Sequence, residues 1–293
     1  ILREGEAAML DRSYVYRKKI APGLVYLALV FFLVVFFLPY IWVIASSFKL
    51  QADIFKDVVP LSWRAFVPLR PTLKNYFDLF NYTNFATQLA NSLLVASTVT
   101  FGALLVNSLA AFAFAKVHFP MRNILFAIVI GTLFIPFEVN VVPLYLLMKT
   151  FKWIDTYWAL IIPGFANGFA IFFLRQAFLS LPTDLLDAAK VDGCSWFRIY
   201  WSIALPNVKP SLITIGVITF VGNWNSFFWP LIAVNSKGKW LVQVGIASMV
   251  STYGIAWGQI MAACTLASLP VFLVFILLQR YYVQGVTMSG FKW

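Results

Sequence analysis

The run Gly222-Asn223-Trp224-Asn225-Ser226-Phe227-Phe228-Trp229-Pro230 sets side-chain amides beside indole rings. Those groups suit a sugar: amides bond to hydroxyls, and the apolar face of a pyranose stacks on an indole. Asn223, Trp224 and Asn225 are therefore candidates for lining a substrate path. The competing reading, an interfacial aromatic belt with packed asparagines, fits Trp229 better than Asn225. Glu138 and Asn140 form a second candidate group, lying between Pro136 and Pro143 in an apolar run. An acid at membrane depth is costly unless it lines water or finds a partner. The alternative is that Pro136 ends a helix and leaves Glu138 at the interface.

Other chemistries lack their residues. His118 is the only histidine, and Cys194 and Cys264 are the only cysteines, one expected in a loop and the other within an apolar span. That leaves no Cys/His metal set and no plausible disulfide. Gly238-Lys239 is followed by Trp240 and lacks the earlier glycine of a phosphate-binding loop, so ATP has no Walker A site on this chain. A hydrolytic enzyme would need a metal set or a nucleophile beside a base, and neither is legible.

The third stretch is LPTDLLDAAKVDGCSWFRIYWSIALP, residues 181–206, a polar interval between long apolar runs. It reads as two short helices end to end. Thr183 or Asp184 is expected to cap the first, with Asp187 in its first turn, where the helix dipole favours an anion. Gly193 is placed to end that helix in a left-handed conformation, and Ser195 to cap the second, which is expected to run to Pro206. Ala188 and Ala189 would leave a smooth flank suited to docking in another protein's cleft.

The elements that must carry these residues are membrane spans. Of 293 residues, 61% are hydrophobic and 11% charged, with mean hydropathy +0.84, far from a soluble domain. The 11 Trp, 12 Tyr and 30 Phe fit a helical bundle with aromatic belts. The net charge of +11 sits largely in segments flanking apolar runs, which points to anionic headgroups in a lipid bilayer and not to nucleic acid. Six spans are expected, at 24–46, 88–114, 124–148, 157–178, 211–234 and 259–279. Arg17, Lys18 and Lys19 before the first span argue for a cytoplasmic N-terminus. The first span is too long for a signal peptide, and a start at Ile1 suggests that the true N-terminus lies upstream. The organisation expected is an N-terminal segment 1–21, a transmembrane domain 22–280 and a cytoplasmic tail 281–293, with both ends inside and 181–206 on the cytoplasmic side. The long segment 47–87 is expected outside, as a solvated cap or a contact for an external protein. Small and weakly polar residues in the second span, among them Asn91, Ser92, Gly102, Asn107 and Ser108, read as helix packing.

Asp187-Ala188-Ala189, then Gly193, then Ile203-Ala204-Leu205-Pro206 resembles the EAA motif of ABC importer permeases, with Asp187 where glutamate is commoner. Phe134-Ile135-Pro136 through Val142-Pro143-Leu144-Tyr145 and the ending Gln279 to Thr287 are similar to the carbohydrate-uptake, MalG-like branch. The resemblance implies an all-α integral membrane protein of six transmembrane helices with the type I ABC importer permease fold. It makes Leu185, Asp187, Ala188, Ala189, Lys190, Asp192 and Gly193 a coupling helix that docks on a separate ATPase. It also implies a second, MalF-like permease as heterodimer partner, two copies of an ABC ATPase holding ATP and Mg, an extracytoplasmic sugar-binding protein and a carbohydrate substrate. No cofactor is expected on this chain, and the location implied is a bacterial or archaeal inner membrane. Gly290-Phe291-Lys292-Trp293 is bulkier than that family's usual ending. The alternative class, a secondary transporter or channel for a small polar solute, is left without the chain of intramembrane acids that ion coupling uses.

Overall fold

In a computed structural model, residues 21–251 and 254–290 are described. The expected N-terminal basic cluster and the last three residues lie outside them. The described chain is helical apart from a minimal antiparallel ladder, β1 (Val250–Ser251) with β2 (Gly254–Ile255). The described residues divide into two compact units, 21–78 with 256–265, and 79–251 with 254–255 and 266–290.

The first unit is built on α1 (Ala21–Ser47), whose Val25, Leu27, Leu29, Phe31 and Phe36 are all exposed. Leaving such side chains in water would forfeit about 1.5–3 kcal/mol each, so this surface belongs in lipid or under another subunit. The segment after α1 is not a loose cap. It contains two 3-10 turns and α2 (Lys74–Tyr82), gathered on buried polar groups. Asn75 donates to the carbonyls of Ser47 and Lys49, at 2.8 and 2.7 Å, and Lys49 Nζ donates to those of Arg64 and Ala65, both at 2.8 Å. Burial pushes the Lys49 ammonium pKa down, with Asp57 and Asp53 opposing. Buried backbone carbonyls need donors, and here two side chains supply them.

The second unit is organised around α3 (Phe85–Lys116), the long second span. The third span is broken into α4 (Arg122–Gly131), a 3-10 turn Thr132–Phe134 and α5 (Phe137–Thr150), bent by 106°. Pro136 causes the break: it lacks an N–H and drives Ile135 to extended backbone, φ −92°, ψ 113°. The fourth span is also interrupted, as α6 (Tyr157–Ile161), a 3-10 turn Ile162–Gly164 and α7 (Gly168–Leu179). Gly102 permits α3 to approach that turn, since a Cβ there would stand 2.3 Å from the Phe165 ring. Small residues at this crossing serve packing, as their spacing suggested.

There follow α8 (Thr183–Val191), α9 (Trp196–Ile199), a π-helical turn Tyr200–Ala204 and α10 (Leu205–Asn207). Helical geometry thus continues past Pro206, where an end was expected; proline is tolerated because it sits in the first turn of α10. The chain then bends by 81° into α11 (Lys209–Trp224). The fifth span is interrupted after Trp224, resuming as α12 (Phe228–Ala233), and α13 (Val242–Ser248) leads to the ladder. The last helix, α14 (Trp257–Gly290), continues beyond residue 280, where the chain was expected to leave it. Among the described residues four helices are long and apolar enough to cross a membrane, or six if each bent pair is one span.

Candidate functional site

Local chemistry fixes the ends of α8. Gly193 has φ +77°, its N–H donates to Lys190 O and the Cys194 N–H reaches back to Ala189 O, both at 2.9 Å. This pair of bonds is a Schellman ending, satisfying carbonyls the helix would otherwise leave open. Ser195 then caps α9, accepting from the Arg198 N–H at 3.3 Å. At the start of α8 the structure differs from expectation. Pro182 is the N-cap and makes no side-chain bond, so neither Thr183 nor Asp184 caps. Asp184, inside the first turn, is the acid placed at the positive end of the dipole. Asp187 lies one turn on and pairs with Lys190 at 3.6 Å, while the Lys190 ammonium stands 4.3 Å from the centre of the Trp196 ring.

The two alanines part company. Ala189, 6% exposed, and Leu186 are buried in a core with Phe178, Ile199 and Tyr200, whereas Ala188 is exposed. One face of α8 is thus consumed by its own protein, because an amphipathic helix cannot present both sides. The free face carries Leu185, Ala188 and Val191, the last 89% exposed, with Asp187, Lys190 and Asp192 also exposed. The chain entering α8 is held by Lys116, whose Nζ donates to Leu181 O at 2.7 Å. The result is a short apolar strip edged with charge on a firmly mounted helix.

The substrate-path candidates are placed differently. Trp224 is 1% exposed, stacks on Phe220 and donates its indole N–H to Ala267 O at 2.9 Å. Its ring is a packing element with no free face for a sugar, contrary to expectation. Trp229 is likewise buried, donating to Ala159 O at 2.9 Å. Asn223 donates back to Thr219 O at 2.8 Å and is half-buried. Asn225 is exposed in the break between α11 and α12, and its carbonyl accepts from Gln243 at 3.3 Å. Glu138 and Asn140 are exposed at the start of α5, and the Phe137 and Trp229 rings meet edge to face at 6.5 Å, which sets that turn against α12. Among the described residues no group of His, Cys, Asp or Glu could hold a metal ion.

Three features escaped the sequence reading. Asn107, fully buried, donates to Ala103 O at 2.7 Å and Phe165 O at 3.0 Å and accepts from the Asn167 N–H at 2.9 Å. It supplies the partners that the backbone loses where the fourth span is interrupted. Ser108, the next residue, bonds with the Tyr200 hydroxyl at 2.8 Å. The third is a clasp in which Asp155, at φ +59°, accepts from Ser236 and Lys239. Bonds from Ser236 hold the Asp155 carboxyl pKa down at about 2, with Lys239 and Asn235 adding and burial opposing. A polar residue within an apolar run was the signal for Asn107 and Ser108, but it does not say which segment such a residue serves.

Residues 103–288 match the protein family described as binding-protein-dependent transport system inner membrane component. The arabinooligosaccharides transport system permease protein AraQ of Halalkalibacterium halodurans is 31% identical over 280 residues, 94% of this chain and 99% of that protein. The sn-glycerol-3-phosphate transport system permease protein UgpE of Yersinia pestis is 37% identical over 211 residues, 71% of this chain and 75% of that protein. The fold is also that of a chain in the crystal structure of a bacterial ABC transporter involved in alginate import. The TM-score is 0.80 at 21% identity, over 91% of this chain and 98% of that one.

Proposed function

The chain belongs to the family of binding-protein-dependent transport system inner membrane components, and on that premise we propose that it forms half of the translocation path of an ATP-driven importer for a sugar or small oligosaccharide. The other half is a second permease, solute arrives on an extracytoplasmic binding protein, and two copies of a separate ATPase bind ATP and Mg. The observation that carries the reading is α8: a helix capped at its C-terminal end and braced on one face, with a free strip of Leu185, Ala188 and Val191 to offer another protein. The names of the relatives AraQ and UgpE support carbohydrates and polyol phosphates as the substrate class. Both termini and α8 are assigned to the cytoplasmic side.

Mechanism follows from energetics. ATP closes the ATPase dimer, the docked helices move together and the spans open outward to receive solute; hydrolysis reverses this. Such a cycle works only if the ATPase states hold α8 with different affinity. Turning a 1:99 population into 99:1 takes about 5.5 kcal/mol of differential binding. Solute crossing would meet Asn225, Asn223, Glu138 and Asn140, whereas Trp224 supports the wall from behind.

Affinity purification of the full chain from its native membrane tests the proposal. A stoichiometric ATPase, a second permease and ATP hydrolysis stimulated by a binding protein loaded with arabinotriose or sn-glycerol 3-phosphate are expected. A chain purified without any nucleotide-binding partner would overturn it.

A further inference from the structure

The docking helix sits between two arms of chain, and both are fastened to adjacent residues of α3. The leading arm is α7, which begins at the break 165–167. There Asn107 takes the place of the missing helical partners, donating to Phe165 O at 3.0 Å and accepting from the Asn167 N–H at 2.9 Å. Asn167 in turn caps α7, accepting from the Ala170 N–H at 3.0 Å. The trailing arm is the π-helical turn after α9, and its first residue, Tyr200, bonds to Ser108 at 2.8 Å. Proton counting gives that bond a direction. The Ser108 hydroxyl proton is already directed to Leu104 O, so Tyr200 donates and Ser108 accepts.

Between the pins, apolar packing fills the block. Ala111 and Phe112 of α3, Leu174 and Phe178 of α7, and Leu186 and Ala189 of α8 share one core. Tyr200, the first residue of the π turn, is the residue that reaches α3. A bonded, close-packed block moves as a unit, because packed interiors do not deform continuously.

We infer that Asn107 and Ser108 are positioning residues which tie both arms of the docking helix to α3, so that displacement of α8 by the ATPase is delivered to α3 as a rigid-body movement. The inference rests on the reading of α8 as the ATPase contact. Polar pins suit the task better than apolar contacts alone: hydrogen bonds fix register and direction, whereas apolar faces can slide. Neither residue touches solute in this scheme.

The test uses the complete complex, with Cys194→Ser and Cys264→Ser to remove the native thiols. One environment-sensitive label is placed at Ser180→Cys, at the end of α7, and in a separate complex at Phe101→Cys, an exposed position of α3. The probe is Mg·ATP with vanadate, which traps the closed ATPase. In the parent complex both labels should respond. In Tyr200→Phe the Ser180 label should still respond, while the response at Phe101 falls several-fold. Ser108→Ala should match Tyr200→Phe, the double variant should be no worse than either, and Ser108→Thr, which keeps the hydroxyl, should restore the Phe101 response. An undiminished Phe101 response in Tyr200→Phe, or additive losses in the double variant, would overturn the inference. A parent complex whose Ser180 label ignores ATP would overturn the docking reading beneath it.

Discussion

Replacing Asn107 with leucine, similar in shape but without polar atoms, isolates what its amide contributes. The loss at Ala103 O is small, because that carbonyl is already placed to accept within α3. Phe165 O and the Asn167 N–H have no such substitute, since they flank the interruption of the fourth span. An orphaned buried group costs about 1–3 kcal/mol. Both bonds are only partly buried, which favours the lower part of the sum, about 2–4 kcal/mol. At about 1.4 kcal/mol per factor of ten, opening of the 165–167 break should become at least about 30-fold more frequent. Hydrogen exchange read by mass spectrometry on the intact complex measures this, through a peptide covering 165–170. The loop 238–240, which Asn91 holds at 2.9 and 3.1 Å, is the internal control and should not change. Equal exchange at 165–170 in parent and variant would refute the claim that Asn107 closes the break, and a general acceleration would show that it merely supports the fold.

Gly193→Val places a β-branched residue at φ +77°, where a side chain finds open space but an unfavourable backbone, so a cost of about 1–2 kcal/mol comes from conformation alone. It should lower import per ATP hydrolysed, whereas Gly193→Asn should retain most of it; equal behaviour of the two in a reconstituted import assay would count against the Schellman ending as the reason. Ala189→Leu overpacks a filled core and should cost about 1–3 kcal/mol, seen as a lower melting temperature of the complex, while Ala188→Leu should leave melting of the permease alone unchanged and weaken retention of the ATPase. For Asp155, the folded carboxyl titrates near 2, below its ordinary 3.8. Its stabilising contribution is therefore fully present above pH 3.8 and is lost as pH falls toward 2. Between pH 5 and 8 the clasp should show no pH dependence, and Asp155→Asn at pH 7 should make Lys237 and Lys239 more susceptible to trypsin in a timed digest.

Legibility in the sequence followed the range of the interaction. The ending of α8 could be read because a Schellman turn is closed by residues within five positions, and Gly193 is the one residue there that pays nothing for a left-handed φ. Spans could be read because a bilayer demands apolar length, and the break at Pro136 because proline acts on its immediate neighbours. What could not be read was direction. Ala188 and Ala189 are chemically identical, and only the packing of α8 against α3 and α7 decides that one is buried and the other free. Trp224 and Asn225 are adjacent and both were candidates for sugar contact, yet a helix turns by about 100° per residue. That rotation carries Trp224 into the core, while the end of α11 leaves Asn225 exposed in a break. Asn107 is the strongest case. Its two bonds to the broken span reach 58 and 60 residues along the chain. A buried asparagine in an apolar helix must have partners, but composition does not name them. An interrupted span must likewise find donors and acceptors for its freed backbone. Those two needs answer each other here, which is why the helix that looked most like inert packing is the one that bonds to the chain on either side of α8.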